Sequence, residues 1–507
     1  MKDLSSRMTR RDTMRLSGLA LGGLAIGGAG RAGAECTSTE PCYPTEEKTH
    51  QYSLFGDLDL IGHPLPLVRP DEMRITFLGS GFPPPRRAQQ EMSVFVEVGD
   101  GGGQGEADQV IFAVGSGVTT NYSAMGIGFG RMNKIFVNHL HGDHMGDLAH
   151  IYCFGGGLDR KFPLYVWGPG PSGVKSPRPP RRLYDDGTRA FCRNLREACR
   201  WHSESFSFLP TALAEQDLPT REDWGLPCDP VAVGDDPVDD GYALVPIELD
   251  WTKVGGVAYD NPKTGVRITH FPVVHCRKGS IGYKLEWNGL SMVYTSDTKP
   301  ERNCIAAARN QRKGVDVFIH EMILPPELMA MKNLRLDEPY PYPGPDFWKD
   351  AVDSAATVID SSHTPPGAFG YLLSQIEPRP RLAVATHFPV ADDTVACALE
   401  SVKAHCDWIH QLGKDPLPGD ERGYLTWSID LMVISVTKDE IKQLRGVVTD
   451  FAWPPMPRAS GDLKPPKYWK WGVDENGNPV QVSDPRAQLD VSTVIEPGPD
   501  TYCEDGY

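Results

Sequence analysis

The sequence predicts an α/β fold in which helices cover layered β-sheets. Short apolar segments of strand length alternate with amphipathic segments of helical period, an arrangement typical of α/β proteins. The chain has 507 residues, 40% of them hydrophobic, so it is long enough to bury a large core. Its 52 glycines and 45 prolines indicate many loops and disfavour a helical bundle.

The first 34 residues have the features of an export signal. Arg10 and Arg11 precede a weakly apolar, glycine-rich stretch from Leu16 to Gly30, and Ala32–Ala34 offers a small-x-small cleavage site. This pattern resembles a twin-arginine signal and predicts a periplasmic or secreted protein. The apolar stretch is short and rich in glycine, which favours a removed leader over an anchor and predicts no stable membrane span after cleavage.

Charge and cysteine content narrow the function further. The net charge is -16, and removal of residues 1–34 takes away six basic and two acidic residues, which leaves -20. Such a surface repels a long polyanion, although a local basic patch is compatible with it. The 11 cysteines include no Cys-x-x-Cys pair, so zinc-finger spacing is absent.

The first strands follow a polar, proline-punctuated arm at residues 35–70. A strand is predicted at Arg74–Leu78, a half-buried strand at Met92–Val98 because apolar and polar residues alternate, and a return strand at Gln109–Val114. The glycine-rich segment Asp100–Glu106 is predicted to be a hairpin loop. Acidic residues flank it and no Lys-Ser/Thr follows, which argues against a phosphate loop.

The densest chemical signal is His139–His144, which contains three histidines and one aspartate directly after the apolar strand Lys134–Val137. Imidazole and carboxylate groups are ligands of borderline divalent ions such as zinc. The pattern therefore indicates a hydrolytic metal site rather than a polar turn.

Later strands end in the same kinds of residue, and rigid strands with ligands at one edge are a common way to build a site from distant segments. Amphipathic helices are predicted between or after them at Pro345–Ile359 and Asp392–Cys406. The strand segments are Val273–His275, Met292–Asp297, Val315–Glu321 and Leu382–His387.

Two segments differ in composition from the rest of the chain. Residues 168–242 are rich in Pro, Arg and Asp, with one predicted helix at Thr188–Trp201, and are interpreted as an inserted cap over the site. Residues 437–507 are rich in Pro and Trp and form a predicted C-terminal extension.

From about Met73 to Val436, the sequence resembles the metallo-β-lactamase superfamily, in the branch that contains ribonuclease Z and related arylsulfatases and phosphodiesterases. The resemblance implies a four-layer αβ/βα sandwich over residues 71–436. It is carried by eight motifs in order, namely Leu78–Gly81, His139–His144, Pro163–Pro169, His275 with Ile281–Tyr283, Thr295–Thr298, His320–Glu321, His363–Thr364 and Thr386–Phe388.

The resemblance also implies two divalent metal ions, with zinc expected first and manganese or iron as alternatives. Two cations about 3.5 to 4 Å apart need a shared carboxylate and lower the pKa of a bridging water. His270 and His320 are expected to be structural. By this resemblance His139, His141 and His275 bind one ion, Asp143, His144 and His387 bind the other, and Asp297 bridges them.

Glu321 and His363 are the candidate acid pair. The resemblance implies that Glu321 orients His363, which assists departure of the leaving group. A carboxylate beside an imidazole raises its pKa and fixes its tautomer, as a general acid requires. The expected mechanism is attack by a metal-bridging hydroxide on a phosphorus or sulfur ester, or on a carbonyl, with Asp143 orienting the water.

The chain departs from the family pattern in two places. Ala113 stands where the superfamily commonly has a supporting aspartate, which weakens the inference of activity. Only about twenty residues separate His275 from Asp297, so there is no room for the tRNA-gripping arm of ribonuclease Z. With the negative charge and the export signal, this predicts a small-molecule ester and not tRNA as the partner.

The leading hypothesis is an exported dinuclear-metal hydrolase that cleaves a small phosphodiester or sulfate ester. The alternatives are a lactonase or β-lactam hydrolase on the same fold, a ribonuclease Z-type RNA endonuclease, and a non-catalytic metal-binding protein. A homodimer is compatible with the sequence.

Overall fold

The strands of the protein supply two large sheets and one short ribbon. The computed structural model describes residues 56–103, 105–207, 241–336, 344–409, 422–451 and 469–483. The strands are β1 (Gly56–Asp59), β2 (Met73–Gly79), β3 (Ser93–Val98), β4 (Asp108–Phe112), β5 (Lys134–Phe136), β6 (Leu164–Pro169), β7 (Leu244–Leu249), β8 (Gly256–Asn261), β9 (Val266–Pro272), β10 (Ile281–Trp287), β11 (Leu290–Tyr294), β12 (Val317–Glu321), β13 (Leu382–Thr386), β14 (Tyr424–Trp427), β15 (Met432–Val436), β16 (Ile441–Val447), β17 (Trp469–Val473) and β18 (Pro479–Ser483).

The first sheet has nine strands in the order β1-β16-β15-β2-β3-β4-β5-β6-β7, and β4 to β7 run parallel. The second has seven strands in the order β14-β13-β12-β11-β10-β9-β8, and β11 to β14 run parallel. In its register Tyr294 lies opposite Ile319, which lies opposite Val384. The carboxyl ends of β11, β12 and β13 therefore meet at one edge.

Helices cover the outer face of each sheet. The apolar inner faces pack against each other, for example Phe112 of β4 on Tyr283 of β10, with ring centroids 5.5 Å apart. The helices are α1 (Val118–Ala124), α2 (Gly142–Met145), α3 (Leu148–Gly157), α4 (Thr188–Ala198), α5 (Arg200–Ser207), α6 (Arg302–Arg309), α7 (Pro326–Leu334), α8 (Pro345–Ser362), α9 (Pro366–Ser374) and α10 (Asp392–Lys403).

The layer order is helix, sheet, sheet, helix. Buried residues of α1, α3 and α4 form one core with the outer face of the first sheet. Buried residues of α6, α9 and α10 form another with the outer face of the second sheet. The expected four-layer αβ/βα sandwich is confirmed.

One strand differs from its sequence prediction. The alternation at Met92–Val98 predicts a half-buried strand, yet every residue of β3 is buried. Glu97 lies between Arg74 and Arg131, which neutralise its charge, and Ser93 bonds to the hydroxyl of Tyr122 at 3.1 Å. Polar residues can therefore occupy a fully covered strand when each finds a partner.

The predicted helices are found with small changes of boundary. The helix predicted at Pro345–Ile359 is α8, which ends at Ser362, and the one predicted at Thr188–Trp201 is divided into α4 and α5. The predicted hairpin loop at Asp100–Glu106 joins β3 to β4, where the carboxylate of Asp100 accepts two main-chain hydrogen bonds.

The chain divides into two compact units, one ending at Asp450 and the other beginning at Phe451. The first includes β1 and β16, which lie outside residues 71–436, and the second contains the β17–β18 ribbon. The predicted export signal lies outside the described residues, and the domain assignments stay predictions. None of the described helices combines the length and apolar character that a membrane crossing requires.

Candidate metal centre

The loop after β5 is held against the first sheet by main-chain contacts. The N–H of Met92 donates to the carbonyl of Asp143 at 3.2 Å, and that of Val114 donates to the carbonyl of His144 at 2.7 Å. Gly115 allows this approach, because a Cβ at that position would lie 2.3 Å from the carbonyl oxygen of Asp143. The positions of Asp143 and His144 are therefore fixed by backbone packing.

All seven predicted metal ligands come together at one edge of the sandwich. His275, Asp297 and His387 arrive from the second sheet, after β9, β11 and β13. The ligand atoms of each group lie within 4.8 Å of one another. One group is His139, His141 and His275, and the other is Asp143, His144, Asp297 and His387.

Asp297 lies between the two groups. One carboxylate oxygen, Oδ1, is 3.2 Å from Nε2 of His144. The other, Oδ2, is 3.4 Å from Nε2 of His387 and 3.8 Å from Nε2 of His275. It thus reaches ligand nitrogens of both groups, as a bridging residue must.

Hydrogen bonds orient several ring nitrogens toward the centre. Nδ1 of His275 lies 3.0 Å from the carbonyl oxygen of Ser362, which can only accept, so Nδ1 carries the proton. The lone pair of Nε2 then faces Nδ1 of His141 at 3.1 Å. Fixing one nitrogen in this way leaves the other free to bind a metal.

Burial sets the protonation of two histidines of the first group, His139 and His141. Burial lowers the pKa of His139 well below its usual value, and burial and the neighbouring His275 lower the pKa of His141 to about 4. Both imidazoles are therefore neutral near pH 7, which is the form that donates to a metal.

The second group carries the negative charge. Burial alone raises the pKa of Asp297, but the neighbouring His144 and His387 outweigh it and hold that pKa well below its usual range. The pKa of Asp143 is likewise lowered, because His144 and His387 outweigh burial. Burial lowers the pKa of His144, but the neighbouring Asp297 and Asp143 outweigh burial, so the net shift of this pKa is upward.

Unpartnered buried atoms show that these residues fit a cation. Both ring nitrogens of His139, Nε2 of His144 and Oδ1 of Asp297 make no hydrogen bond in the described part of the chain. The last two atoms approach to 3.2 Å without hydrogen-bond geometry. Buried nitrogen and oxygen atoms that converge without hydrogen-bond partners suit a shared metal ion, and the mixed nitrogen and oxygen set suits zinc.

The backbone is strained at two ligand loops. Ser296, next to Asp297, has a φ of 57°, and His387 has a φ of 58°. Residues other than glycine rarely adopt this left-handed backbone conformation, and such strain clusters at functional sites. Ala113, the residue that replaces the family's aspartate, also has a positive φ of 60° and is fully buried.

The predicted acid pair lies beside the first group. Nδ1 of His363 is 2.9 Å from Oε2 of Glu321, whose carboxylate also accepts a hydrogen bond from the N–H of Thr298. Burial lowers the pKa of His363, but Glu321 outweighs this and raises it to about 9. The ring therefore stays protonated at neutral pH and can donate from Nε2.

Two other predicted residues lie away from the metal groups. His270 bonds to the carbonyl oxygen of Asp250 at 2.9 Å, and His320 is buried between Phe318 and Phe369. Neither belongs to a ligand cluster among the described residues. Both positions match the structural role expected from the sequence.

The supporting residue Asp430 was not found from the sequence. Its carboxylate accepts hydrogen bonds from Ser80, from the N–H of Gln90 at 2.7 Å and from Asn121 at 2.8 Å. Gln89 then bonds to the carbonyl of Phe388 at 2.9 Å, which steadies the loop that carries His387. The only local signal of Asp430 in the sequence is its place shortly after the apolar strand β14.

Two cavities open beside the centre, and both are bounded by His141 and His275. The polar cavity has a volume of about 350 Å³ and the apolar cavity about 230 Å³. The residues that line the polar cavity include Ser172, Asp185, Asp186, Arg277 and Lys278. The residues that line the apolar cavity include Phe82, Ile323, Met329, Ala355, Val358 and His363.

Comparisons with known proteins agree with the resemblance found in the sequence, although no protein-family profile matches the chain. Bovine zinc phosphodiesterase ELAC protein 1 is 31% identical over 103 residues, which are 19% of this chain and 26% of the relative. Ribonuclease Z of Picrophilus torridus is 24% identical over 275 residues, 51% of this chain and 76% of the relative. In the first curated matches, the chain spans less than a third of the relative's own length.

Among solved structures, human tRNase Z, short form, is 17% identical, and the alignment covers 72% of this chain and 99% of that chain with a TM-score of 0.40. The curated relatives confirm the resemblance to the metallo-β-lactamase superfamily and its ribonuclease Z-like branch. Together with the ligand cluster, they support a divalent metal site with zinc as the expected ion.

The expectation of a small-molecule partner in place of tRNA is wrong. The curated relatives are named ribonuclease Z, ribonuclease BN and zinc phosphodiesterase, and the first two names describe enzymes that act on RNA. Net charge is a property of the whole surface and does not describe the few side chains near one site. The short interval after His275 shows only that an arm is missing from that interval.

Proposed function

We propose that the resemblance of this chain to the ribonuclease Z-like branch of the metallo-β-lactamase superfamily extends to activity, and that it is a metal-dependent hydrolase of phosphodiester bonds in RNA. The observation that carries the proposal is the placement of the Glu321–His363 pair beside the ligand groups. The ligand His275 lies next to both members of this pair. This arrangement supplies a cation site and a proton donor within one cleft.

The ligand residues prepare the site for the reaction. Bound divalent ions at such a centre activate water and neutralise charge on the reacting phosphate. Asp143 is held as a carboxylate and lies 3.2 Å from His387, so it can accept a hydrogen bond from the attacking water and orient it. We include two ions in the proposal, because Asp297 reaches both ligand groups.

His363 acts on the departing oxygen. As water adds to phosphorus and the bond from phosphorus to the leaving oxygen breaks, that oxygen takes a proton from Nε2 of His363, and the proton lost by the attacking water passes to solvent. Glu321 is fully buried and bonds to Nδ1, so it keeps the ring in one orientation and stabilises its protonated form.

The proposed location of the protein is outside the cytoplasm. Export would be directed by the twin-arginine pattern at Arg10 and Arg11. Substitution of both arginines by lysine should leave the protein in the cytoplasmic fraction with its leader uncleaved. Equal processing of the altered and the natural chain would contradict the export proposal.

The activity is tested with zinc-loaded protein on a 3′-extended tRNA and on bis-p-nitrophenyl phosphate. We expect cleavage of both, and loss of cleavage in His139→Ala, which removes a ligand. His270→Ala is the matched control, because this histidine is also buried but lies outside the ligand groups. Turnover of p-nitrophenyl sulfate, a lactone or a cephalosporin without turnover of either phosphodiester would overturn the proposal.

A further inference from the structure

The two cavities beside the metal centre differ in chemical character. The apolar cavity is walled by side chains such as Phe82, Met329 and Val358, and it contains His363. The polar cavity is lined by the charged residues Asp185, Asp186, Arg277 and Lys278 and does not include His363. A substrate that crosses the centre between them therefore meets a different surface on each side of the reacting bond.

Among the described residues, the charges that line the polar cavity leave one cation, Lys278, without a partner. The carboxylate of Asp186 accepts hydrogen bonds from the N–H and hydroxyl of Ser172, at 2.9 and 2.6 Å, and pairs with Arg277. Asp185 pairs with Arg193 at 2.7 Å. Lys278 is exposed and has no ion-pair or hydrogen-bond partner in the described part of the chain.

Arg277 is less suited than this lysine to bind a ligand, because Asp186 already neutralises it and its guanidinium lies 4.7 Å from the ring centroid of Tyr184. Lys278 is an ammonium on a flexible stem, which makes it suited to a phosphate. It stands three residues after His275, so a phosphate near it lies close to the metal centre.

The position of the proton donor sets the direction of the substrate. A general acid must be within hydrogen-bond reach of the oxygen it protonates. Because His363 lines the apolar cavity, the leaving group must lie there. The part of the substrate that stays on phosphorus then extends toward the polar cavity.

Resting on the function proposed above, we propose that the leaving group occupies the apolar cavity and that the retained nucleotide places its next phosphate against Lys278. The substrate class is therefore a phosphodiester whose retained side carries a second phosphate, as an RNA strand does. Lys278 would act as a specificity-determining residue that makes no contact with the reacting bond.

Two chromogenic esters test the contribution of the polar cavity separately from that of the apolar cavity. Both are p-nitrophenyl esters on the 5′-phosphate of thymidine, and one carries an additional 3′-phosphate. The leaving group is identical, so only the retained side differs. We expect a lower KM for the ester with the second phosphate, and Lys278→Ala should raise that KM about two- to fivefold, as is typical of one exposed ion pair.

The same substitution should leave kcat and the KM of the ester without a second phosphate unchanged. Lys278→Arg should retain the preference, and Lys263→Ala is the control for net charge, because Lys263 is exposed and lines neither cavity. An equal effect of Lys278→Ala on both esters would overturn the assignment of the second phosphate.

Filling the apolar cavity tests the proposed position of the leaving group. Ala355→Trp places a large ring in that cavity and should raise KM for both esters equally, whereas Thr357→Trp, exposed on the same helix α8, should change neither. If Ala355→Trp affected only the ester with the second phosphate, the substrate would lie in the opposite direction.

Calorimetric binding of thymidine 3′,5′-bisphosphate and of thymidine 5′-phosphate needs no turnover. Tighter binding of the bisphosphate that disappears in Lys278→Ala supports the phosphate position even if no phosphodiester is hydrolysed, in which case only the function proposed above fails. Hydrolysis of phosphodiesters with equal binding of both nucleotides would overturn this inference alone.

Discussion

Nδ1 of His363 lies 2.9 Å from Oε2 of Glu321, and the carboxylate of Glu321 is fully buried. The same carboxylate accepts a hydrogen bond from the N–H of Thr298, the residue that follows Asp297. One side chain therefore positions both the proton donor and the loop of the bridging carboxylate. Its effects on protonation and on metal binding can be measured separately.

The pH dependence of kcat should report this pair. His363 donates only when protonated, and its pKa is raised to about 9, so kcat should fall as pH rises through that region. Glu321→Gln removes the negative charge and lowers this pKa, which should move the alkaline limb toward neutral pH. A profile of kcat against pH checks this, and an unmoved limb in the variant would assign it to another group.

The loss on removing His363 should depend on the leaving group. General-acid catalysis is worth about 10²- to 10⁴-fold when the leaving oxygen is a strong base. His363→Ala should therefore lose about that factor on RNA but much less with p-nitrophenolate, which departs without a proton. Equal losses in kcat on the two substrates would exclude a proton-donor role.

Two glycines next to the ligands should differ in their response to alanine. A Cβ at Gly115 would lie 2.3 Å from the carbonyl of Asp143, whereas nothing lies within 4 Å of a Cβ at Gly142. Gly115→Ala should lower the free energy of unfolding by about 1–3 kcal/mol, a typical cost of overpacking, and weaken metal binding. Gly142→Ala should alter neither in thermal unfolding and metal titration, and a destabilised Gly142→Ala protein would contradict this geometry.

Asp297 should control the number of bound ions. Because Oδ2 of Asp297 lies 3.4 Å from His387 of one group and 3.8 Å from His275 of the other, Asp297→Asn should reduce the metal content from the two proposed ions per chain to one or none. Elemental analysis of the purified protein measures this. Asp250→Asn, on an exposed aspartate outside the ligand groups, is the control, and two ions in Asp297→Asn would contradict the bridging role.

Much of this centre could be predicted from the sequence. The ligands His139 to His144 occur together, and His275, Asp297 and His387 each follow an apolar strand segment, so local pattern and resemblance identify them. Asp430 could not be found in this way, because its partner Ser80 is 350 residues distant in the chain and only the fold brings them together.

The cavities depend even more on tertiary structure. The apolar wall from α8 carries no sequence feature that separates it from an ordinary amphipathic helix, and Lys278 differs from other lysines only in its surroundings. The same limit explains the full burial of β3, because alternation along a strand does not reveal that helices cover its polar face. It also explains why net charge misdirected the choice of partner.

The ligands come from both halves of the sandwich. His139, His141, Asp143 and His144 follow β5 of the first sheet, whereas His275, Asp297 and His387 follow strands of the second. A cation held by His144 and His387 would therefore be a cross-link that closes a long loop of chain, in the same topological sense as a disulfide. Chelation should accordingly accelerate unfolding of the whole sandwich as well as stop the reaction, so metal supply would govern the lifetime of the folded protein.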